Sequence, residues 1–575
     1  MAKENKKQNV LDGAMILVIA TGLVKVIGAI YKIPLTGIIG TTARGYFASA
    51  YNIYTPVYAI SMAGLPVAVS TIVARYSAIG RYRDVKQVLK VTFPVFCGMG
   101  IIGTLILMLL AKPYSVSVNS PYAVYSMLCI APSIFFCCFM STYRGYYEGL
   151  SNMYPTAISE VIESLGKLVF GLAFAYGVIK FSNADNELKY AYAAAAAISG
   201  VSLGTVLGAV YTNFRHRIKK DGITKVMLVN SPPAKSQKAI LRELIAIAIP
   251  AAISSLVLNI TNFIDTWMIQ NRLDSVVAKH YDDIMAIYGT SINSAGVAKD
   301  TIHTFLYGAY DTTLDFKNLI PTIMMTLGVS AIPVISAAIS KRDMKTVNDT
   351  VNTVFRTTML IALPAGAGFF ALSEPIMELL YNGTENQHGI AVAAPVLALY
   401  GLLMAIFTLS GPLVNILQAI GRADAPAKSL AIGCIFKILI NYILIGIPSI
   451  NIKGAVIGTA VFYLWTCIYN YAVLKKETSV KLQLKSVFIK PLISSVLCFL
   501  AASFTYKGLS SVLTFGNADS RLNGNSLSCL AAIAVAVLVY AISVLLTKTL
   551  VKDDILMLPK GEKLVKILEK FKVLG

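Results

Sequence analysis

The chain has 575 residues, 56% of them apolar and only 14% charged, with a mean hydropathy of +0.68. Soluble chains carry about 45–50% apolar and about 25% charged residues, so a cytosolic enzyme, a secreted disulfide scaffold and a disordered tail are excluded. A net charge of +21 then has to be read as membrane topology.

Apolar stretches bounded by charge, Pro or Gly predict fourteen spans, at 11–36, 46–74, 91–111, 122–146, 155–179, 190–211, 240–267, 316–338, 351–373, 390–419, 426–447, 452–474, 486–508 and 525–549. About 20 helical residues suffice to cross a hydrocarbon core of about 30 Å. The first run resembles a signal peptide after Lys3-Glu4-Asn5-Lys6-Lys7, but Lys25 interrupts it and further spans follow, so it is a retained helix. All eight cysteines fall in or beside apolar runs without zinc spacing, as small hydrophobes.

Alternate connections differ in charge. The set comprising 1–10, 75–90, Arg144, 212–243, 341–350, 420–428, 475–490 and 548–575 holds 34 basic and 12 acidic residues; the other set holds 11 and 12. The positive-inside rule then puts both termini in the cytoplasm of a multi-pass plasma-membrane protein. Scattered over eight segments, the charge suits anionic membrane lipids and implies no nucleic acid. Residues Lys563 to Lys572 alternate with apolar ones, as an amphipathic helix on the inner leaflet or a solvated one.

The halves repeat. Leu65-Pro66-Val67 matches Ile332-Pro333-Val334 at an offset of 267, Glu148-Gly149-Leu150 matches Gln418-Ala419-Ile420 at 270, and Lys167 matches Lys437. Spans 1–6 therefore pair with 7–12 in the same sense, which predicts two six-helix lobes with a site between them. The expected divisions are 1–225, 226–474, two appended spans in 475–549, and a basic tail 550–575.

Ionisable groups at mid-bilayer cost about 2.5–3.5 kcal/mol, so each needs a partner or a role. Lys25 lies mid-span and is read as a cation facing an internal cavity; Lys32, two turns on, either joins it or snorkels. Glu160, Glu163 and Lys167 share one face of the fifth span, where Glu163 and Lys167 are placed to form a local pair. Asn259, Asn262 and Asp265 run along the seventh span, and Lys437 and Asn441 along the eleventh, so an Asp265–Lys437 ion pair within one lobe is expected. The four histidines read as loop residues, no metal or nucleotide motif occurs, and no cofactor is expected. Energy would come from the membrane potential or an ion gradient. The outer loop 268–317 is a gate or mere cover.

The stretch Arg144-Gly-Tyr-Tyr-Glu148-Gly-Leu-Ser-Asn-Met-Tyr-Pro155-Thr-Ala-Ile-Ser-Glu160 resembles the loop after the fourth helix in polysaccharide-biosynthesis exporters. Gly22 to Gly28 and Ile416 to Arg422 are similar to the same family. The resemblance is strongest to the stage V sporulation protein B and MurJ-like lipid II flippase branch of the multidrug/oligosaccharidyl-lipid/polysaccharide, MATE-like superfamily. It implies an all-α fold of two six-helix lobes in a V plus two C-terminal helices. It further implies alternating access and an undecaprenyl-pyrophosphate-linked sugar, such as lipid II, as cargo. Lys25 and Lys32 lie where such flippases carry basic residues; Arg144 and Glu148 stand in the shared motif as further cavity candidates. Lipid II flippases hold sodium through an Asp on helix seven and Asn or Asp on helix eleven. With Lys437 at that place beside Asp265 and Asn441, no sodium is expected. A monomeric flippase is the leading expectation; a drug/cation antiporter of the same fold and a membrane glycosyltransferase or polymerase are the alternatives.

Overall fold

In the computed structural model the described residues are 10–219, 221–381, 387–513, 515 and 523–549; the basic tail expected at 550–575 lies outside them. Among the described residues the fold is α-helical, with no strand. In chain order the helices are α1 (Val10–Ala59), α2 (Leu65–Ala78), α3 (Tyr82–Ser117), α4 (Ala123–Ile130), α5 (Ser133–Gly149) and α6 (Tyr154–Phe181). Next come α7 (Asn186–Ile218), α8 (Lys225–Val229), α9 (Gln237–Lys279), α10 (Tyr281–Ser294), α11 (Ile302–Ser340) and α12 (Met344–Ala371). The last are α13 (Ser373–Tyr381), α14 (Gln387–Ala419), α15 (Asp424–Ile445), α16 (Lys453–Thr478), α17 (Lys490–Val512) and α18 (Gly524–Leu546).

Eleven candidate membrane spans emerge among the described residues. One of them, Ile19–Ala59, has 41 residues, about 60 Å if straight and twice the hydrocarbon thickness. Gly40 divides it, at φ 78° and ψ 176°, a conformation open to glycine alone without strain. The spans expected at 11–36 and 46–74 therefore share α1 and continue into α2. Those expected at 240–267 and 316–338 fall in α9 and α11.

Contacts split the chain into two compact units, Met1–Asn271 with Lys299–Gly308, and Arg272–Ala298 with Ala309–Gly575. The sequence repeat draws its boundary at 225/226 instead. The difference comes from α9, whose Ile240, Leu244 and Ala248 join the core of the first unit. Further along, Phe263 stacks on Tyr114 at 5.1 Å and Gln270 donates to Ser49 at 2.9 Å.

Two expectations about connections are corrected. The segment 268–317 is mostly helix, made of the end of α9, α10 and the start of α11. Its piece Lys299–Gly308 belongs to the first unit, where Ile302 to Tyr307 are buried. Gly308 lets the backbone of α11 press against Thr41, since any Cβ there would overlap the Thr41 carbonyl. Three of the four histidines also leave the loops: His216 ends α7 and bonds Tyr147 at 3.0 Å, His303 is buried in α11, and His388 lies in α14, while His280 stays between α9 and α10.

Glycine seams set the tightest helix pair of the first unit. On α6 and α7, a Cβ on Gly166 would lie 2.7 Å from Gly204 Cα, so the backbones touch. Elsewhere large apolar side chains face outward, as with Ile101, Leu105 and Leu109 on α3 and Leu492, Val496 and Leu500 on α17. In water such rows would be an aggregation liability; against lipid tails they are the expected surface. The protein is a multi-pass membrane protein.

Candidate functional site

A buried charge cluster lies inside the first unit, around Arg144. Gly145 and Gly149 bring α5 against α2; a Cβ on Gly145 would stand 2.6 Å from the Pro66 carbonyl. That approach buries the neighbouring arginine to 2% exposure. Its Nε donates to Ser159 Oγ at 2.8 Å and its Nη2 to Glu163 Oε2 at 3.2 Å. Thr205 donates to the other Glu163 oxygen at 3.4 Å, and Thr156 donates to Glu148 Oε1 at 2.8 Å. Glu160, half-buried, lies one turn before Glu163 on α6. A buried guanidinium persists only when hydrogen-bonded and neutralised, and this one is both.

Arg144 had been counted with the basic connections; this is corrected. Residues 144–149 are helical, and the expected loop shrinks to 150–153. The Arg-Gly-Tyr-Tyr-Glu-Gly pattern is a helix-packing signature, with glycines on the α2 side and the charges turned toward α6.

Lys167, one turn beyond Glu163, also lies against aromatic rings. Its Nζ stands 4.9 Å from the ring centre of Tyr31 and 5.1 Å from that of Tyr51, a cation–π arrangement. Tyr31 is itself anchored by donating to the Ala197 carbonyl at 3.1 Å. Tyr51 continues an aromatic ladder along α1: Phe47 stacks on it at 5.9 Å, and Tyr54 and Tyr58 follow at 5.9 and 5.3 Å.

On the preceding half of α1, Ala20, Ile27, Tyr31 and Leu35 form the buried stripe. At about 100° per residue, Lys25 and Lys32 flank this stripe on one side. Lys25 is exposed and Lys32 half-buried, so the first unit leaves Lys25 uncovered and partly encloses Lys32.

In the second unit Lys437 is 7% exposed, with its Nζ 5.8 Å from the Phe462 ring centre. Asn441 is fully buried one turn on, and neither amide atom has a hydrogen-bond partner among the described residues. On α9, Asn259 and Asp265 are half-buried and Asn262 exposed. Asp265 belongs to the first unit and Lys437 to the second, so the single-lobe setting expected for that pair differs from the division by contact.

Two buried cations escaped the sequence reading. Arg44, 1% exposed, had been placed in an outer connection; beyond the Gly40 break it is helical, and its Nη1 donates to Thr36 Oγ1 at 3.4 Å. Arg356, 5% exposed, sits within α12 and donates to Thr353 at 3.3 Å. The sequence around Arg44, Gly40-Thr41-Thr42-Ala43 and Gly45, reads as a turn, so no local signal marked it as buried.

Comparison with known proteins follows the same lines. The polysaccharide biosynthesis protein family matches residues 10–337, and the lipid II flippase MurJ family matches residues 318–522. Lipid II flippase MurJ of Bacillus subtilis (strain 168) is 27% identical over 506 residues, covering 85% of this chain and 87% of the relative. Stage V sporulation protein B of the same organism is 22% identical over 559 residues, covering 96% and 98%. Among solved structures, lipid II flippase MurJ in an inward closed conformation aligns with a TM-score of 0.62 at 14% identity, over 92% of this chain and 98% of that one. An inward-facing MATE family transporter aligns at 0.60 and 14%, over 80% and 98%. These two show a shared fold. With the first family matching more than half of its length, the chain belongs to the polysaccharide biosynthesis protein family.

Proposed function

We propose that the protein is a flippase that turns an undecaprenyl-pyrophosphate-linked oligosaccharide, lipid II or a related precursor, from the inner to the outer leaflet by alternating access. The observation that carries this reading is the pair of cations two turns apart on one flank of α1, Lys25 exposed and Lys32 half-buried. A pyrophosphate crossing low dielectric needs such charges, which act there far more strongly than in water. The relatives named lipid II flippase and stage V sporulation protein B support the class of cargo. Lys437 supplies the positive charge that sodium provides in lipid II flippases, and the driving force is the membrane potential or an ion gradient. Glu148, Glu160 and Glu163 favour a second reading, a cation antiporter, because carboxylates inside a membrane attract cations.

Depletion in the native cell with leaflet-resolved measurement of lipid II separates the two. Precursor should accumulate on the inner face, and wild type but not Lys25→Ala should reverse it. Normal precursor distribution together with drug sensitivity would replace the flippase by the antiporter.

A further inference from the structure

Both units tie a basic connection to the start of a long helix. In the first, Asp84 near the start of α3 accepts from Lys235 N at 2.6 Å, and Ser231 Oγ accepts from Arg83 N at 3.1 Å. In the second, Asn348 on α12 accepts from Lys481 N at 2.9 Å, while Asn352 accepts from Gln483 N at 2.9 Å and donates to the Lys481 carbonyl at 3.0 Å. The two clasps differ in charge. Around the first, Arg81 pairs with Asp84, Lys86 with Asp221, and Lys235 with Glu243. Around the second, Asp349, one turn beyond Lys345, makes no ion pair among the described residues, and the other acids are engaged elsewhere. Asp343 caps α12 through Thr346 at 3.1 and 2.6 Å, Glu477 pairs with Arg422, and Asp424 holds Arg422 and Lys428 at 3.0 and 3.2 Å.

Beside the second clasp lies a pocket of about 530 Å³, lined by Lys345, Lys481, Asn348, Thr478 and Ser479, with Met344 and Glu477. Among the described residues neither lysine ion-pairs with a carboxylate; the nearby Asp343 feels the Lys345 charge, but its oxygens are committed to Thr346. Residues 344–348 precede the apolar run that begins near 351. At 1.5 Å per residue they stand about 5–10 Å outside the hydrocarbon, the depth of lipid phosphates.

We propose that this pocket binds a phosphate-bearing group, held between Lys345 and Lys481 with Ser479 as hydroxyl donor, and that an anionic phospholipid of the inner leaflet supplies it. The ligand replaces the carboxylates that the first clasp has and the second lacks, and it fastens α12 to the connection entering α17. The inference is independent of the cargo.

The full chain would be placed in phosphatidylcholine nanodiscs with and without phosphatidylglycerol, and retained lipid counted by native mass spectrometry. Wild type should keep phosphatidylglycerol, and Lys345→Gln/Lys481→Gln should weaken retention roughly thirtyfold, at about 1 kcal/mol per lysine near a charged surface. Inorganic phosphate titrated onto the detergent-purified chain forms the second arm; binding there that depends on both lysines supports the site with free phosphate as its source. Lys485→Gln, outside the pocket, should change neither. Equal retention in wild type and double variant in both arms, or the same loss in Lys485→Gln, would overturn the proposal.

Discussion

The two units treat the same inherited positions in opposite ways. At the repeat offset of 270, Ser159 corresponds to Ser429, and both donate to a carbonyl three residues back, at 2.8 and 2.9 Å. Lys167 corresponds to Lys437, and both lie against aromatic rings. Yet Arg144, Glu148 and Glu163 correspond to Val414, Gln418 and Gly433. The first unit holds a neutralised ionic network at these positions; the second has none of those three charges, and its buried Asn441 and Asn470 amides have no hydrogen-bond partner among the described residues. The contrast teaches that the helix-packing scaffold and its polar contents vary independently.

The sharpest way to break this comparison is Arg144→Met. It leaves the largely buried Glu163 without its ion pair and should cost about 3–5 kcal/mol, read as a fall in thermal unfolding temperature in detergent. Adding Glu163→Gln should recover part of that; losses that simply add would mean the two groups are not coupled. Next come the clasps. Asp84→Ala removes a charged acceptor from both Arg81 and Lys235 N and should cost about 1.5–3 kcal/mol, whereas Asn352→Ala removes neutral bonds worth about 1 kcal/mol. Equal costs would erase the distinction between an ionic and an amide clasp.

A smaller effect follows from Asp221. Burial raises its carboxyl, but hydrogen bonds from Lys86 and Tyr146 and the lysine's charge outweigh it and hold the group below the ordinary range. Its contribution is therefore complete above about pH 3.9 and disappears as pH falls through the lower folded value. Acid unfolding curves of wild type and Asp221→Asn should differ most above about pH 4 and converge only as pH falls through the lower folded value. Smallest is Gly28→Ala: nothing lies within 4 Å of a Cβ there, so helix propensity should yield up to about 1 kcal/mol of stabilisation.

Much of the fold was legible because a hydrocarbon core forces each crossing to be apolar and long. That is why spans such as 91–111 and 155–179 fall inside α3 and α6. The helical content of 268–317 was hidden because its charges resemble an exposed loop, while the contacts that bury Ile302 to Tyr307 come from distant α1. Lys167 was recognised as buried, but its aromatic setting depends on Tyr31 and Tyr51, more than a hundred residues away. Arg144 was singled out by its motif and misplaced by its charge, since an arginine near a helix end resembles a topology signal until its acid partner is found. Arg44 failed for the same reason.

The break at Gly40 has a consequence for direction. Arg44 reaches across it to Thr36, and Leu35, Thr36, Ile39 and Ala43 on either side are fully buried. The joint is thus fixed by packing, and the glycine sets the heading on which the segment bearing Lys25 leaves the core; any other residue there would have to redirect it.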